Sequence, residues 1–353
     1  MGLHRSAIPG EVLGILRRGA VIPAHPLALD SSRSFAPRRQ NALTRYYVDA
    51  GSGGLAVGVH ATQFEIRDVG LYDPVLECAM ETACAWTDRP LVMIAGLAGP
   101  TRQAVREART AVSLGYHAGL LSLAAMKGAS EDELIAHCTA IADEIPLIGF
   151  YLQPTVGGIL LSTRFWKRFA EIDNVIAIKA APFNRYRTLD VIRGVVEAKA
   201  EARVSVYTGN DDHIVLDLLE PFTSLSNGAE VRVPIRGGLL GHWSVWTKRA
   251  VDLLARIHGA VDSGAIDLDL LALNSKVTDC NRAIFDVEND FAGCIPGCHE
   301  ILRRQGLLEG TWCLNPDEVL SPGQADEIDR IYRGYPEMND DAFVRDNLDR
   351  WLA

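Results

Sequence analysis

Lys179 ends the run Asn174-Val-Ile-Ala-Ile-Lys179-Ala-Ala-Pro182, an amine placed where the chain is otherwise apolar. Four apolar residues before it predict a strand buried on both faces, and Pro182 stops that strand. Taking an ammonium out of water is unfavourable. Burial therefore lowers a lysine pKa and yields a neutral, nucleophilic amine. Such an amine attacks ketones and aldehydes to form a Schiff base. A lysine that carries its ammonium to the surface along its own alkyl stem fits the same window. A second group with chemistry is Tyr151, at the end of Pro146-Leu-Ile-Gly-Phe-Tyr-Leu152. A phenol beside an amine suits imine chemistry, because carbinolamine formation and dehydration both move protons. By itself, a strand-end tyrosine reads first as an aromatic packing on a loop, and it is the pairing with Lys179 that points to catalysis.

Short apolar runs alternate with longer amphipathic stretches from Ala20 to Ile257. The runs are Ala20–Ala24, Gly54–Val59, Pro90–Ala95, Ala118–Ser122, Pro146–Leu152, Asn174–Lys179, Val204–Thr208 and Val231–Leu240. Helical stretches follow at Pro37–Ala50, Tyr72–Trp86, Thr101–Leu114, Ser130–Glu144, Ser162–Ile172, Tyr186–Lys199, Asp212–Leu219 and Ser244–Ile257. Ser130-Glu-Asp-Glu133 opens one of them as a capping box. Eight strand–helix units of this length predict a parallel (β/α)8 TIM barrel. A doubly wound open sheet competes, but no strand leads into a G-x-G-x-x-G turn. Beyond Gly259 helices follow one another without strands, predicting an all-helical C-terminal region. The expected domains are therefore a barrel over 1–257 and a helical region over 258–353.

A (β/α)8 barrel gathers its site at the C-terminal strand ends. That rule brings Lys179 and Tyr151 to one end, with His25, His60, Thr62, Gln63, Ser122 and the Thr208–Asp211 segment including Asn210. Gly237 and Gly238 would leave room for a ligand. Arg185, just after the Lys179 strand, would suit a carboxylate or lie in solvent. His242 and Trp243 border the pocket or start a helix.

Composition limits the partners. The 353 residues are 48% hydrophobic and 23% charged, which is ordinary for a globular protein. A net charge of −10 argues against nucleic acid or anionic membrane. No secretory leader or membrane-length apolar stretch is evident. Seven scattered cysteines, including Cys280, Cys294, Cys298 and Cys313, predict reduced thiols in a cytoplasmic protein rather than a disulfide framework or a zinc site.

Phe150-Tyr151-Leu-Gln-Pro154, Asn174-Val-Ile-Ala-Ile-Lys179 and Thr208-Gly-Asn-Asp211 together resemble the dihydrodipicolinate synthase / N-acetylneuraminate lyase family. That family carries, in this order, a Tyr-x-x-Pro segment, a strand ending in the imine lysine and a Ser/Thr-Gly-Asp-Asp-type strand end. The resemblance implies a (β/α)8 barrel with C-terminal helices, assembled as a dimer or tetramer. It implies class I chemistry on 2-oxo acids or related aldehydes, with Lys179 as imine former, Tyr151 as proton-transfer phenol and no cofactor or metal.

The departures are as informative. Where the family carries Gly-Thr/Ser-Thr-Gly-Glu, this chain has Gly58-Val-His-Ala-Thr-Gln-Phe-Glu65, so His60, Thr62 and Gln63 are expected to supply the carboxylate donors. The synthase's arginine after Tyr-x-x-Pro is replaced by Val156, and Ser122-Leu-Ala-Ala-Met126 holds no phenol. The expected function is a lyase or aldolase other than the synthase. A sugar-acid dehydratase or decarboxylase working through the same imine, and a non-catalytic barrel binding a carbonyl ligand, are the alternatives.

Overall fold

A computed structural model of the chain describes residues 2–353. It contains ten strands: β1 (Val21–Pro23), β2 (Gly54–Val57), β3 (Val92–Leu97), β4 (Ala118–Leu121), β5 (Leu147–Leu152), β6 (Val175–Ala181), β7 (Ser205–Thr208), β8 (Thr223–Ser226), β9 (Ala229–Arg232) and β10 (Ile235–Leu240). The chain divides into two compact units, Met1–Ala20 with Pro90–Leu239, and Val21–Arg89 with Leu240–Ala353.

In the first unit β3, β4, β5, β6, β7 and β10 lie side by side, each parallel to the next. Strands β3 and β6 are buried at every position, as apolar runs covered on both faces must be. After β3, β4, β5 and β6 run, in that order, the helices Thr101–Ser113, Glu131–Ala142, Thr163–Glu171 and Arg185–Glu197. Their starts are set by side chains that satisfy orphan N–H groups. The Ser130 hydroxyl accepts from Glu133 N while the Glu133 carboxylate accepts from Ser130 N, the capping box expected from the sequence. Ser162 and Asn184 cap the next two helices in the same way.

Two features of this unit depart from the sequence reading. The run Val231–Leu240 is not one strand. Its first residues belong to an antiparallel hairpin, β8 with β9, and β10 starts at Ile235. Asn227 and Gly228 turn the hairpin with φ of 52° and 79°, the left-handed pair that a two-residue turn requires. A helix over Gly10–Arg18, unforeseen from the sequence, precedes Gly19. Gly19 has φ of 96°, and a Cβ there would stand 2.1 Å from Arg236 O, so only glycine fits.

In the second unit β1 and β2 are joined by a parallel bridge, Ala24 to Ala56. The helices are Pro37–Ala50, Tyr72–Trp86, Thr247–Ser263, Leu268–Ile284, Cys294–Arg304, Gln324–Gly334 and Asp341–Leu352. The last packs on Pro37–Ala50. Trp351 is fully buried, its ring 5.4 Å from Tyr46, and its indole N–H donates to Asp49 Oδ2 at 2.6 Å. The Tyr46 hydroxyl donates to Asp340 Oδ2 at 2.7 Å, satisfying both groups inside the core. Among the described residues no helix is long and apolar enough to cross a membrane.

Candidate active site

Residues paired across parallel strands share a face of the sheet, and successive residues alternate. Register therefore decides what surrounds Lys179. Phe150 pairs with Lys179 and Lys179 with Tyr207, so these three side chains share a face. The helices cover the opposite face. A Cβ on Gly149 would meet the Phe169 ring at 2.7 Å, which puts the helix Thr163–Glu171 on the Gly149 and Tyr151 side.

Lys179 is 8% exposed. Burial lowers its pKa from 10.5 to about 8, against the opposing pull of the Asp211 charge. Its Nζ lies 4.3 Å from the centre of the Phe150 ring. The end of β7 runs close beside the lysine stem. A Cβ on Gly209 would stand 2.5 Å from Lys179 Cε and 2.7 Å from Ala181 Cβ, so a side chain there would collide with the lysine. Tyr207 sends its hydroxyl to Leu16 O at 2.9 Å, and burial pushes that phenol's pKa up.

Tyr151 is not placed as the sequence reading expects. It pairs with Ala180 and stands on the helix side of β5. Its ring lies 5.3 Å from Trp166. Its hydroxyl donates to Leu161 O and accepts from Leu161 N, both at 3.2 Å. Burial raises its pKa. The cause of the difference is a single-residue offset. In a strand whose residues are apolar on both faces, moving one position moves a side chain through the sheet. Phe150, not Tyr151, occupies the position opposite the lysine.

The remaining expected residues sort by their contacts. Asn210 is fully buried and its amide is engaged. Nδ2 donates to Asp217 Oδ2 at 2.9 Å and Thr188 Oγ1 at 3.3 Å, and Oδ1 accepts from Phe183 N at 3.0 Å. That last bond ties the end of β6 to the end of β7 and holds Phe183 at φ of 49°. Thr208 donates to the same Asp217 at 2.6 Å, and Arg185 pairs with the other oxygen. Arg185, for which the sequence leaves open a substrate carboxylate or solvent, thus serves a buried aspartate. Gly237 is explained by close approach: a Cβ there would stand 2.5 Å from Ala20 N and 2.7 Å from Tyr207 Cε1. Ser122 is buried, and Val156 closes a short 3-10 turn after β5.

In the second unit Thr62 donates to His25 O at 2.6 Å and accepts from Gly58 N at 2.9 Å. Gln63, at φ of 67°, accepts from Leu314 N at 2.6 Å. His60 is half-buried, its ring 6.0 Å from Phe64. His25 is held by Thr44 at 2.8 Å, and burial drops its pKa to about 4. None of the seven cysteines is joined in a disulfide.

The sequence reading left three residues beside Lys179 without a role: Phe150, Gly209 and Asp211. Asp211 stood in the Thr-Gly-Asn-Asp segment. Phe150 stood one residue from the chosen position, and nothing in the sequence marks Gly209 as a contact of the lysine.

A model of the dihydrodipicolinate synthetase family matches residues 19–224, more than half of the chain. The chain belongs to that family. A 4-hydroxy-tetrahydrodipicolinate synthase of Exiguobacterium sibiricum is 30% identical over 141 residues, 39% of this chain and 46% of that protein. A protein of Leptothrix cholodnii named as a probable 5-dehydro-4-deoxyglucarate dehydratase is 28% identical over 138 residues, 39% of this chain and 44% of its own length. The chain thus spans about half the length of the curated relatives it matches. Among solved structures, CdNal of Clostridium difficile in complex with mannosamine superposes with a TM-score of 0.71 at 16% identity, covering 90% of this chain and 99% of that one. Dihydrodipicolinate synthase of Acinetobacter baumannii complexed with pyruvate gives 0.72 at 20% identity, covering 89% and 98%. At such identity these structures show the fold. It is the (β/α)8 barrel followed by C-terminal helices that the sequence predicts.

Proposed function

We propose that the protein is a Schiff-base-forming lyase or aldolase acting through Lys179 on a 2-oxo acid or related carbonyl compound. The observation that carries this reading is the buried amine at the end of β6, its pKa drawn down to about 8. At neutral pH about a tenth of such an amine is neutral and able to attack. Attack forms a C–N bond, and loss of water from the carbinolamine leaves a protonated imine. In cleavage of a 4-hydroxy-2-oxo acid the imine at C2 then takes up the electron pair of the C3–C4 bond as an enamine, while the 4-hydroxyl gives up its proton and C4 leaves as a carbonyl. The proton-transfer role passes from Tyr151 to Asp211, the carboxylate whose charge acts on Lys179. Val156 in place of the synthase's arginine and the absence of a strand-four phenol weigh against the synthase reaction.

A dehydratase using the same imine is the second reading, favoured by the resemblance to the Leptothrix protein. Product analysis separates the two. Retro-aldol cleavage of a 4-hydroxy-2-oxo acid gives two carbon fragments, whereas dehydration gives one product less one water. Lys179→Ala should turn over neither. Turnover that survives Lys179→Ala would refute both readings. A ligand that stabilises wild type and Lys179→Ala equally, without turnover, would favour a binding protein.

A further inference from the structure

We infer that the face of the Phe150 ring is the electrostatic seat of the cationic nitrogen at Lys179, holding first the ammonium and then the iminium. The inference rests on the Lys179 imine proposed above. Its ground is the register of β5 against β6, which sets Phe150 directly opposite Lys179 on the side away from the helices. Neighbouring strands lie about 4.8 Å apart, so side chains in register on one face are within reach of each other. Nζ stands 4.3 Å from the ring centre, inside the roughly 6 Å over which a ring face attracts a cation. Both partners are almost fully buried, the ring 7% and the lysine 8% exposed. Water therefore competes little, and the attraction is at its stronger end.

The chemistry gives this contact a function. An ammonium and a ketone yield an iminium and water: one C–N double bond replaces the C–O double bond, and one positive charge remains on the same nitrogen. A ring face at that point favours both charged species and does little for the neutral amine. It also accepts no proton, so the imine stays protonated and electron-withdrawing while a neighbouring bond breaks. Of the titratable groups, Tyr207 shares this face and donates to Leu16, and the Asp211 charge favours the cation. Phe150 supports the charge with no proton to exchange.

Progressive fluorination of the ring tests this, because it drains the ring face of negative potential with little change of shape. Phe150 in the full chain is replaced by 4-fluoro-, 3,5-difluoro- and 3,4,5-trifluorophenylalanine. Two readings are taken. Reductive methylation with formaldehyde and cyanoborohydride, followed at the Lys179 peptide across pH, gives the pKa of the amine without any substrate. Pyruvate trapping at pH 9 gives the imine yield. The pKa should fall stepwise, by about one unit in total, and the imine yield at pH 9 by about tenfold. Phe150→Leu should fall at least as far as the trifluoro variant. A pKa unchanged across the fluorine series, or unchanged in Phe150→Leu, would overturn the inference. Absence of any 2-oxo acid adduct alongside a graded pKa would leave the ring contact standing and sink the imine reading instead.

Discussion

At the proposed site the cost of burying Lys179 and the use of its amine coincide. Below pH 8 the ammonium is buried at a penalty that the unfolded chain avoids. Between pH 8 and 10.5 the unfolded chain holds the extra proton, so stability rises with pH through that window. Lys179→Met should therefore stabilise the fold at pH 7 by up to about 3 kcal/mol while abolishing turnover. The gain should vanish as pH approaches 10.5, which thermal melts at pH 7, 9 and 10.5 would show. Tyr151 makes the opposite prediction. Its hydroxyl meets only the Leu161 backbone on the helix side, so Tyr151→Phe should cost about 1 kcal/mol of stability and leave imine formation unchanged. A Tyr151→Phe variant that traps substrate many times more slowly would show that the phenol reaches the amine.

At the level of elements, the end of β7 acts as a wall for the lysine on β6. Gly209→Ala would drive a methyl to within 2.7 Å of Ala181 Cβ, which cannot swing aside, and to 2.5 Å of Lys179 Cε. The variant should keep its helices by circular dichroism and lose at least tenfold in trapping rate, since a displacement near 1 Å suffices for large losses. Elements were also where the sequence was most and least readable. Apolar runs with capped helices between them marked β3 to β7 closely, and Ser130 and Glu133 formed the capping box their spacing predicts. Facing could not be read. Leu147 to Leu152 is apolar throughout, so no alternation distinguishes the Phe150 side from the Tyr151 side. The hairpin was hidden in a polar stretch, although Asn227-Gly228 is a strong turn signal. Asn210 reads as a ligand donor because spacing alone does not show that the helices on either side of β7 turn Asp217, seven residues on, and Thr188, 22 residues back, towards its amide.

Taken whole, the chain places three histidines with strongly lowered pKa values in the unit formed by Val21–Arg89 and Leu240–Ala353. His25, His242 and His299 are each drawn down to about 4 by burial. The unfolded chain binds those protons near pH 6.5, so stability falls as pH drops from 6.5 towards 4. Asp340 and Glu318, whose pKa values burial raises, offset part of this loss. Hydrogen exchange read by mass at pH 6.5 and 4.5 should show this unit opening before Pro90–Leu239. The reverse order would contradict the neutral burial of these rings. The central claim is the imine at Lys179, and reductive trapping tests it most directly. The protein is incubated with a panel of 2-oxo acids, reduced with borohydride and digested, and the peptides are weighed. The account predicts a stable adduct on the peptide carrying Lys179 with at least one acid, and none there in Lys179→Ala. Adducts confined to other lysines, or no adduct with any acid, would contradict it.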